Sequence, residues 1–168
     1  MTVTAVIVGC RNSEGIKSVH DQLRPQVEEI VVITCCERSV LGDMNLHVAH
    51  RDDWGQNKCD QGLSLATQDY VMFASSDDEY LPNFISTLKK YDTDLILGGF
   101  RSHLVSEQRN SRPVIGLVTR GSFLVKREVG QKHGYKDHSY TGDGQFVEDL
   151  VKNGATWTND PEVNYIHK

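Results

Sequence analysis

The sequence lacks the long apolar runs and the basic leader of an exported or membrane-anchored protein. None of its apolar runs approaches the about 18 residues that a transmembrane helix needs. The first apolar stretch, Val3 to Val8, is also too short for a signal peptide and has no basic segment before it. We therefore expect a cytoplasmic protein with no membrane span.

Positive charge is also scarce. The chain carries 18 Lys and Arg residues against 23 Asp and Glu residues, which gives a formal net charge of −5. Proteins that bind nucleic acid generally present a basic face. We therefore expect no nucleic-acid partner, and we expect any bound phosphate group to be held locally, with the help of a metal ion.

The cysteines and glycines lack two further patterns. The four cysteines, Cys10, Cys35, Cys36 and Cys59, contain no C-x-x-C spacing, and an adjacent pair does not easily form a disulfide with itself. This predicts reduced and mostly buried thiols, as is typical of a cytosolic protein. The turn after the first apolar run lacks the G-x-G-x-x-G pattern, which excludes a dinucleotide site of the NAD or FAD type.

What the sequence does contain is an alternation of strand and helix patterns. Val3 to Val8 and Glu29 to Thr34 are apolar strand patterns, and between them Ile16, Val19 and Leu23 recur at helical spacing. A strand, a helix and a second strand in this order predict a right-handed parallel crossover. For 168 residues we predict one α/β domain over residues 1–168, with a Rossmann-like, mostly parallel central sheet flanked by helices.

Later segments continue this pattern, with one interruption. Asp94 to Phe100 reads as a buried strand ended by glycines, and residues 141–154 as a helix. Between them, residues 101–113 are polar and without periodicity. A loop of this length is either a functional lid or a mobile excursion.

Acidic residues follow the most apolar of the predicted strands. Tyr70 to Ala74 is unbroken and apolar, and Asp77 and Asp78 come shortly after it. In an open α/β sheet, ligands bind beyond the carboxyl ends of the strands. Neighbouring carboxylates at that edge are typical of a site for Mg²⁺ or Mn²⁺. The alternative is a solvated turn that caps a helix starting near Pro82.

Two more candidate residues lie towards the end of the chain. Asp143 opens the predicted late helix, and His167 lies in a tail that alternates like a strand. Asp143 would be a base if it faced the acidic turn, and the alternative is an ordinary helix cap. His167 would be a metal ligand in the same arrangement, and the alternative is an exposed terminal histidine.

The order of these features resembles the family 2 glycosyltransferases of the GT-A fold over nearly the whole chain. The segments that carry the resemblance are residues 3–12, 29–33, 62–73, 77–82, 142–154 and 164–167. Residues 3–12 are similar to the family's opening strand and nucleotide-binding turn, and residues 29–33 to its second strand. Residues 62–73 are similar to the segment that runs into its D-x-D motif, and residues 77–82 to that motif. Residues 142–154 are similar to its "ED" helix, and residues 164–167 to its closing strand.

The resemblance implies an inverting transferase that uses a nucleotide-sugar, with a UDP-sugar as the expected donor, and an unknown saccharide or other hydroxyl acceptor. It implies that Asp143 is the catalytic base. A Mn²⁺ or Mg²⁺ cofactor would be held by Asp77, Asp78 and His167. Donor-binding residues would be Gly9, Arg11, Asn12, Lys58, Ser76 and Asp77.

The chain departs from the family pattern at several of these positions. Ser75 replaces the first acid of D-x-D, Gly142 replaces the acid before Asp143, and Thr34 to Glu37 replaces the acids that contact the base or ribose. At the helix start where the family has a basic contact, this chain has Lys58 to Asp60, and Lys58 could replace that contact. Two alternatives therefore stay open: a nucleotidyltransferase, and a non-catalytic nucleotide- or sugar-binding module with degenerated motifs.

Overall fold

The first three elements form the predicted parallel crossover. The computed structural model describes residues 1–9, 12–35, 46–48, 55–102, 108–109, 112–136 and 139–168. Strand β1 is Val3–Gly9, helix α1 is Ser13–Leu23 and strand β2 is Glu29–Thr34. Helix α1 forms because its apolar stripe is buried against the sheet and because the Asn12 side chain accepts a hydrogen bond of 3.0 Å from the Gly15 N–H.

The remaining elements follow in a regular order. The strands are β3 Leu46–Val48, β4 Tyr70–Ser75, β5 Glu79–Tyr80, β6 Leu95–Ser102, β7 Gln108–Arg109, β8 Phe123–Lys126 and β9 Trp157–His167. The helices are α2 Gln56–Leu65, α3 Phe84–Leu88, α4 Arg127–His133 and α5 Gly142–Lys152, and a 3-10 turn covers Arg120–Ser122.

These strands form one sheet in the order β3-β2-β1-β4-β8-β6-β9-β5, with β7 beside β6. Strands β1 to β4 are parallel to their neighbours within this group, which we call the parallel half. Strand β8 runs antiparallel to β4 and to β6, while β6 and β9 are parallel. We call β5 to β9 the mixed half. The predicted α/β sheet flanked by helices is confirmed. At the centre of the sheet, β8 runs opposite to both of its neighbours.

The core lies on both faces of the sheet, which explains the unbroken apolar strands. On β1, Ala5 and Ile7 pack with α1 and α3 on one face, whereas Val6 and Val8 pack with α2 and α5 on the other. Gly62 brings α2 close to the sheet, because a Cβ atom there would collide with the Val6 side chain.

Two elements differ from the sequence prediction. Strand β6 continues through Gly98 and Gly99 to Ser102 instead of ending at the glycines. The glycines fit an irregular register against β9, and a Cβ atom on Gly99 would lie 2.8 Å from the carbonyl oxygen of Pro161. The final strand begins at Trp157, well before the alternating tail. Most of the predicted loop 101–113 lies outside the described residues.

The prediction that all four cysteines are reduced is wrong for Cys35, which is disulfide-bonded. It fails because sequence spacing does not report which sulfur atoms the fold brings together. Cys59 is a free and buried thiol, as predicted, while Cys10 and Cys36 lie outside the described residues. Among the helices that the structure describes, none is long and apolar enough to cross a membrane.

Candidate active site

Three of the predicted donor-binding residues meet at the carboxyl edge of the parallel half. Gly9 ends β1 beside Ser76, and a Cβ atom on Gly9 would lie 2.8 Å from the Ser76 Cβ. The Asn12 side chain donates a hydrogen bond of 3.2 Å from Nδ2 to the Ser76 carbonyl oxygen. Small side chains and backbone groups therefore form this edge. Arg11 lies outside the described residues.

The two acids after β4 have different surroundings. The Asp77 side chain is exposed to solvent. Desolvation by the surrounding protein still raises the pKa of Asp77, and repulsion from Asp78 raises it further. Asp78 is only 5% exposed. The same short turn thus provides one accessible carboxylate and one buried carboxylate.

The buried carboxylate of Asp78 is held by the end of strand β9. The Tyr165 hydroxyl donates to Oδ2 at 2.6 Å, and the His167 Nδ1 lies 3.1 Å from Oδ1. Pairing of β5 with β9 brings this tail across, with Tyr80 opposite Tyr165. The structure therefore places His167 beside the acidic turn rather than leaving it as a free terminal side chain.

The hydrogen bond to Asp78 determines which ring nitrogen of His167 is available to a metal ion. An Nδ1–H that donates to a carboxylate leaves Nε2 as the atom that can bind a metal ion. The same hydrogen bond raises the pKa of His167, although partial burial opposes it. Both Asp78 oxygens already have partners, so the contacts favour Asp78 as the group that orients His167.

A metal ion at this place would need ligands beyond the protein. Among the described residues, no group of three or more His, Cys, Asp and Glu side chains is arranged to hold an ion. Mg²⁺ and similar ions are commonly held by one or two protein groups together with substrate phosphates and water. Asp77 and His167 fit this second kind of site, in which the nucleotide completes the coordination.

Asp143 lies at the second position of α5, and its side chain does not cap the helix. Thr141 is the N-cap residue, and no side chain makes a capping hydrogen bond. Asp143 Oδ1 instead lies 3.5 Å from Nε of Arg120, with side chains that are 17% and 13% exposed. Burial raises the pKa of Asp143, and the Arg120 guanidinium acts against this effect.

Arg120 and Gln56 are site residues that the sequence analysis missed. Arg120 Nη2 donates a hydrogen bond of 2.6 Å to Gln56 Oε1, and Gln56 Nε2 donates one of 3.1 Å to the Ser139 carbonyl oxygen. Gly55 makes room for the guanidinium, because it has a φ of 84° and a Cβ atom there would lie 2.8 Å from Arg120 Nη1. No local pattern marks these residues, since the pair is 64 positions apart.

A single cleft brings together the candidate base and the candidate metal ligand His167. Its volume is about 430 Å³, and both Asp143 and His167 line it, together with Ser75, Arg120 and Gln56. A larger concavity of about 570 Å³ lies at the opposite edge of the sheet, beside Tyr70. We consider the smaller cleft to be the site, since Ser75 at the carboxyl end of β4 lines it together with two of the predicted residues, Asp143 and His167.

Lys58 is not exposed at this edge. It lies on α2 and is 2% exposed, so little of its surface is available to a ligand. A donor contact from Lys58 stays a prediction.

The comparisons with known proteins concern the fold. No protein-family model and no curated protein matches the sequence. Among solved structures, residues 1–349 of TarS from S. aureus align with 100% of this chain at 15% identity and a TM-score of 0.71. Glucosyl-3-phosphoglycerate synthase from Mycobacterium tuberculosis, in complex with Mn²⁺, UDP-glucose and phosphoglyceric acid, aligns with 99% of the chain at 17% identity and a TM-score of 0.72.

The fold is GT-A. TarS in complex with UDP-GlcNAc aligns as well, with a TM-score of 0.69 at 16% identity over 99% of this chain and 58% of that chain. The present chain spans 60% of the first of these TarS structures and 71% of the mycobacterial enzyme. In this chain, the cleft presents the His167 imidazole and the Asp143 carboxylate, which is ion-paired with Arg120.

Proposed function

We propose that this chain is a metal-dependent inverting glycosyltransferase that moves a sugar from a UDP-sugar to an acceptor hydroxyl. The solved structures of the same fold contain UDP-GlcNAc in one case and UDP-glucose with Mn²⁺ in another, which supports this choice of donor. The observation that carries the proposal is that Asp143 and His167 line one cleft. Asp78 lies behind His167 and holds it by a hydrogen bond.

The proposed chemistry assigns the proton transfer to Asp143. The acceptor hydroxyl oxygen bonds to the anomeric carbon of the sugar from the side opposite the diphosphate. As this bond forms, the bond to UDP breaks and the Asp143 carboxylate accepts the hydroxyl proton. A positioned carboxylate contributes about 10²–10⁴-fold to such a step. Arg120 fixes the carboxylate and favours its ionised form.

The proposed metal ligands are Asp77 and the Nε2 atom of His167, with Asp78 holding His167 in place. When bound there, Mn²⁺ or Mg²⁺ would supply positive charge against the negative charge that develops on the departing diphosphate. Asp78 was predicted from sequence as a direct ligand. Its burial and its contacts with Tyr165 and His167 support the indirect role instead.

The donor would lie along the edge formed by Gly9, Asn12, Ser76 and Asp77, with Arg11 and Lys58 as further predicted contacts. Cytoplasmic location and the extent of the domain over residues 1–168 stay predictions. A nucleotidyltransferase or a non-catalytic binding module would use the same edge, so these alternatives are separated by reaction products.

The test combines calorimetry with a product assay. UDP should bind with Mn²⁺ present, and the affinity should fall at least tenfold when a chelator replaces the ion. Incubation with UDP-glucose or UDP-GlcNAc should release UDP. Release of pyrophosphate from a nucleoside triphosphate and a sugar phosphate would indicate a nucleotidyltransferase, while UDP binding without turnover of any UDP-sugar would indicate a binding module. Equal UDP affinity with and without the ion would refute metal dependence.

A further inference from the structure

One wall of the cleft is apolar and open to solvent. Five large hydrophobic residues in the described part of the chain are exposed, and three of them, Val114, Ile115 and Tyr140, lie at this cleft or next to it. Tyr140 is 70% exposed and Ile115 is 39% exposed, and both line the cleft together with Asp143. Exposed apolar groups gathered at a concave site typically contact a ligand.

The apolar wall is fixed to the helix that carries Asp143. The Ile115 N–H donates a hydrogen bond of 2.9 Å to Oε1 of Glu148 on α5. Gly144 allows the close approach, because a Cβ atom there would lie 2.7 Å from the Ile115 Cα. Within the loop, the Leu117 N–H donates to the Val114 carbonyl oxygen at 3.0 Å. Ile115 is therefore held beside Asp143 before any ligand arrives, which lowers the cost of binding.

The charges around this wall disfavour an anionic acceptor. Among the described residues that line the cleft, the only Lys or Arg is Arg120, and it is paired with Asp143. The acidic turn adds Asp77 and Asp78 nearby. One divalent ion only offsets these two carboxylates, and the donor diphosphate then adds negative charge. A phosphorylated or carboxylated acceptor would meet net repulsion at this place.

From these observations we infer that the acceptor is a neutral saccharide whose ring packs against Tyr140 and Ile115 while one hydroxyl reaches Asp143. A sugar ring combines an apolar C–H face with a rim of hydroxyl groups, and the cleft offers an apolar wall beside polar groups. This inference rests on the proposed function, since it takes Asp143 as the base that the acceptor hydroxyl must reach.

The experiment compares matched neutral and anionic probes. Saturation-transfer NMR is recorded on the full chain with diamagnetic Mg²⁺ and UDP, using the methyl glycosides of glucose, galactose and mannose and their 6-phosphates. At least one methyl glycoside should bind, and its 6-phosphate counterpart should bind at least tenfold more weakly. Stronger or equal binding of the phosphates, or binding of none of the probes, would overturn the inference.

Variants locate the binding surface. Tyr140→Ala should weaken binding of the best methyl glycoside about tenfold, and Tyr140→Phe should restore it, while UDP affinity stays unchanged in both. Trp157→Ala is the matched control, because Trp157 is also an exposed aromatic residue, 43% exposed, but lies at the opposite end of β9 from His167. Unchanged glycoside binding in Tyr140→Ala would overturn the inference. Loss of UDP binding in the parent protein would instead count against the proposed function.

Discussion

The two halves of the sheet hold their site residues by different means. In the parallel half, Gly9, Asn12 and Ser76 meet through backbone groups and small side chains directly after strands β1 and β4. In the mixed half, buried charged side chains are paired over long distances in sequence. Asp78 and His167 are 89 positions apart, and the pair is joined only because β5 lies against β9.

On the proposed function, this difference separates donor binding from chemistry. The edge of the parallel half is then the donor-binding edge, where the small residues Gly9 and Ser76 would allow a nucleotide to approach the backbone closely. The mixed half contributes Asp143, Arg120 and His167, whose charges must be held in fixed positions by partners. Substitutions in the mixed half should therefore affect turnover and metal binding, and the parallel half should keep its affinity for the nucleotide.

The largest expected effect is on turnover in Asp143→Asn. Asparagine keeps the size of the side chain and an oxygen that can accept from Arg120, but it does not accept the acceptor proton. Sugar transfer should fall about 10²-fold or more, while UDP affinity measured by calorimetry stays at the parental value. Asp149→Asn on the same helix is the control and should transfer at the parental rate. Parental turnover in Asp143→Asn would mean that the base lies elsewhere.

The next effect concerns the metal ion and His167→Ala. Because Nε2 is the proposed ligand atom, Mn²⁺-dependent UDP affinity should fall about tenfold or more, and UDP affinity in the presence of a chelator should not change. The melting temperature of the free protein should fall slightly, because His167 is also a partner of the buried Asp78 carboxylate. His133→Ala, in the last turn of α4, serves as the control. A parental metal titration would remove His167 from the site.

A smaller effect, on stability, tests the contact between the halves. Tyr165→Phe removes the hydroxyl that donates to Asp78, and so leaves one oxygen of a buried carboxylate without that partner. The free energy of unfolding should fall by about 1–3 kcal/mol in urea titrations. Tyr70→Phe is the control, because the Tyr70 hydroxyl donates at 2.8 Å to the uncharged carbonyl oxygen of Thr93, and loss of a bond to a neutral acceptor should cost less. Equal small losses in both variants would show that the buried contact contributes little.

The smallest effect is a change in acid sensitivity. The backbone N–H of Thr156 lowers the pKa of Asp94 in the folded protein, and the Thr156 hydroxyl and Lys126 lower it further, against the effect of burial. Such a group stabilises the fold above its unfolded pKa of about 3.9, and this stabilisation is lost as pH falls through the folded pKa. In Asp94→Asn, the free energy of unfolding should therefore fall less steeply below about pH 4 than in the parent.

Urea titrations across that pH range provide the measurement. Asp92→Asn is the control, because the Asp92 side chain is 90% exposed, and its pH dependence should match the parent. A parental slope in Asp94→Asn would show that the contacts with Thr156 do not depend on ionisation.

The parts of the fold that local patterns encode could be predicted from sequence. Strands β1, β2 and β4 are buried on both faces, so their apolar runs are unbroken, and the acids after β4 mark the carboxyl edge. The partners of those acids could not be predicted in the same way. Arg120 lies in a 3-10 turn with no periodicity, and its contact with Gln56 depends on the packing of distant elements.

The same limit explains the error at Cys35 and the unforeseen burial of Lys58. The disulfide at Cys35 depends on which chain segments meet in space, and spacing along the chain does not contain this information. The burial of Lys58 likewise follows from the packing of α2, and not from the residue type, which normally lies at the surface.

Helix α5 positions two parts of the proposed site, the Asp143 carboxylate and the loop that contains Ile115. It carries Asp143 near its first turn, and one turn later it holds Ile115 through Glu148. Because both contacts are made by one helix, a displacement of α5 would move the Asp143 carboxylate and Ile115 together and would keep the distance between them.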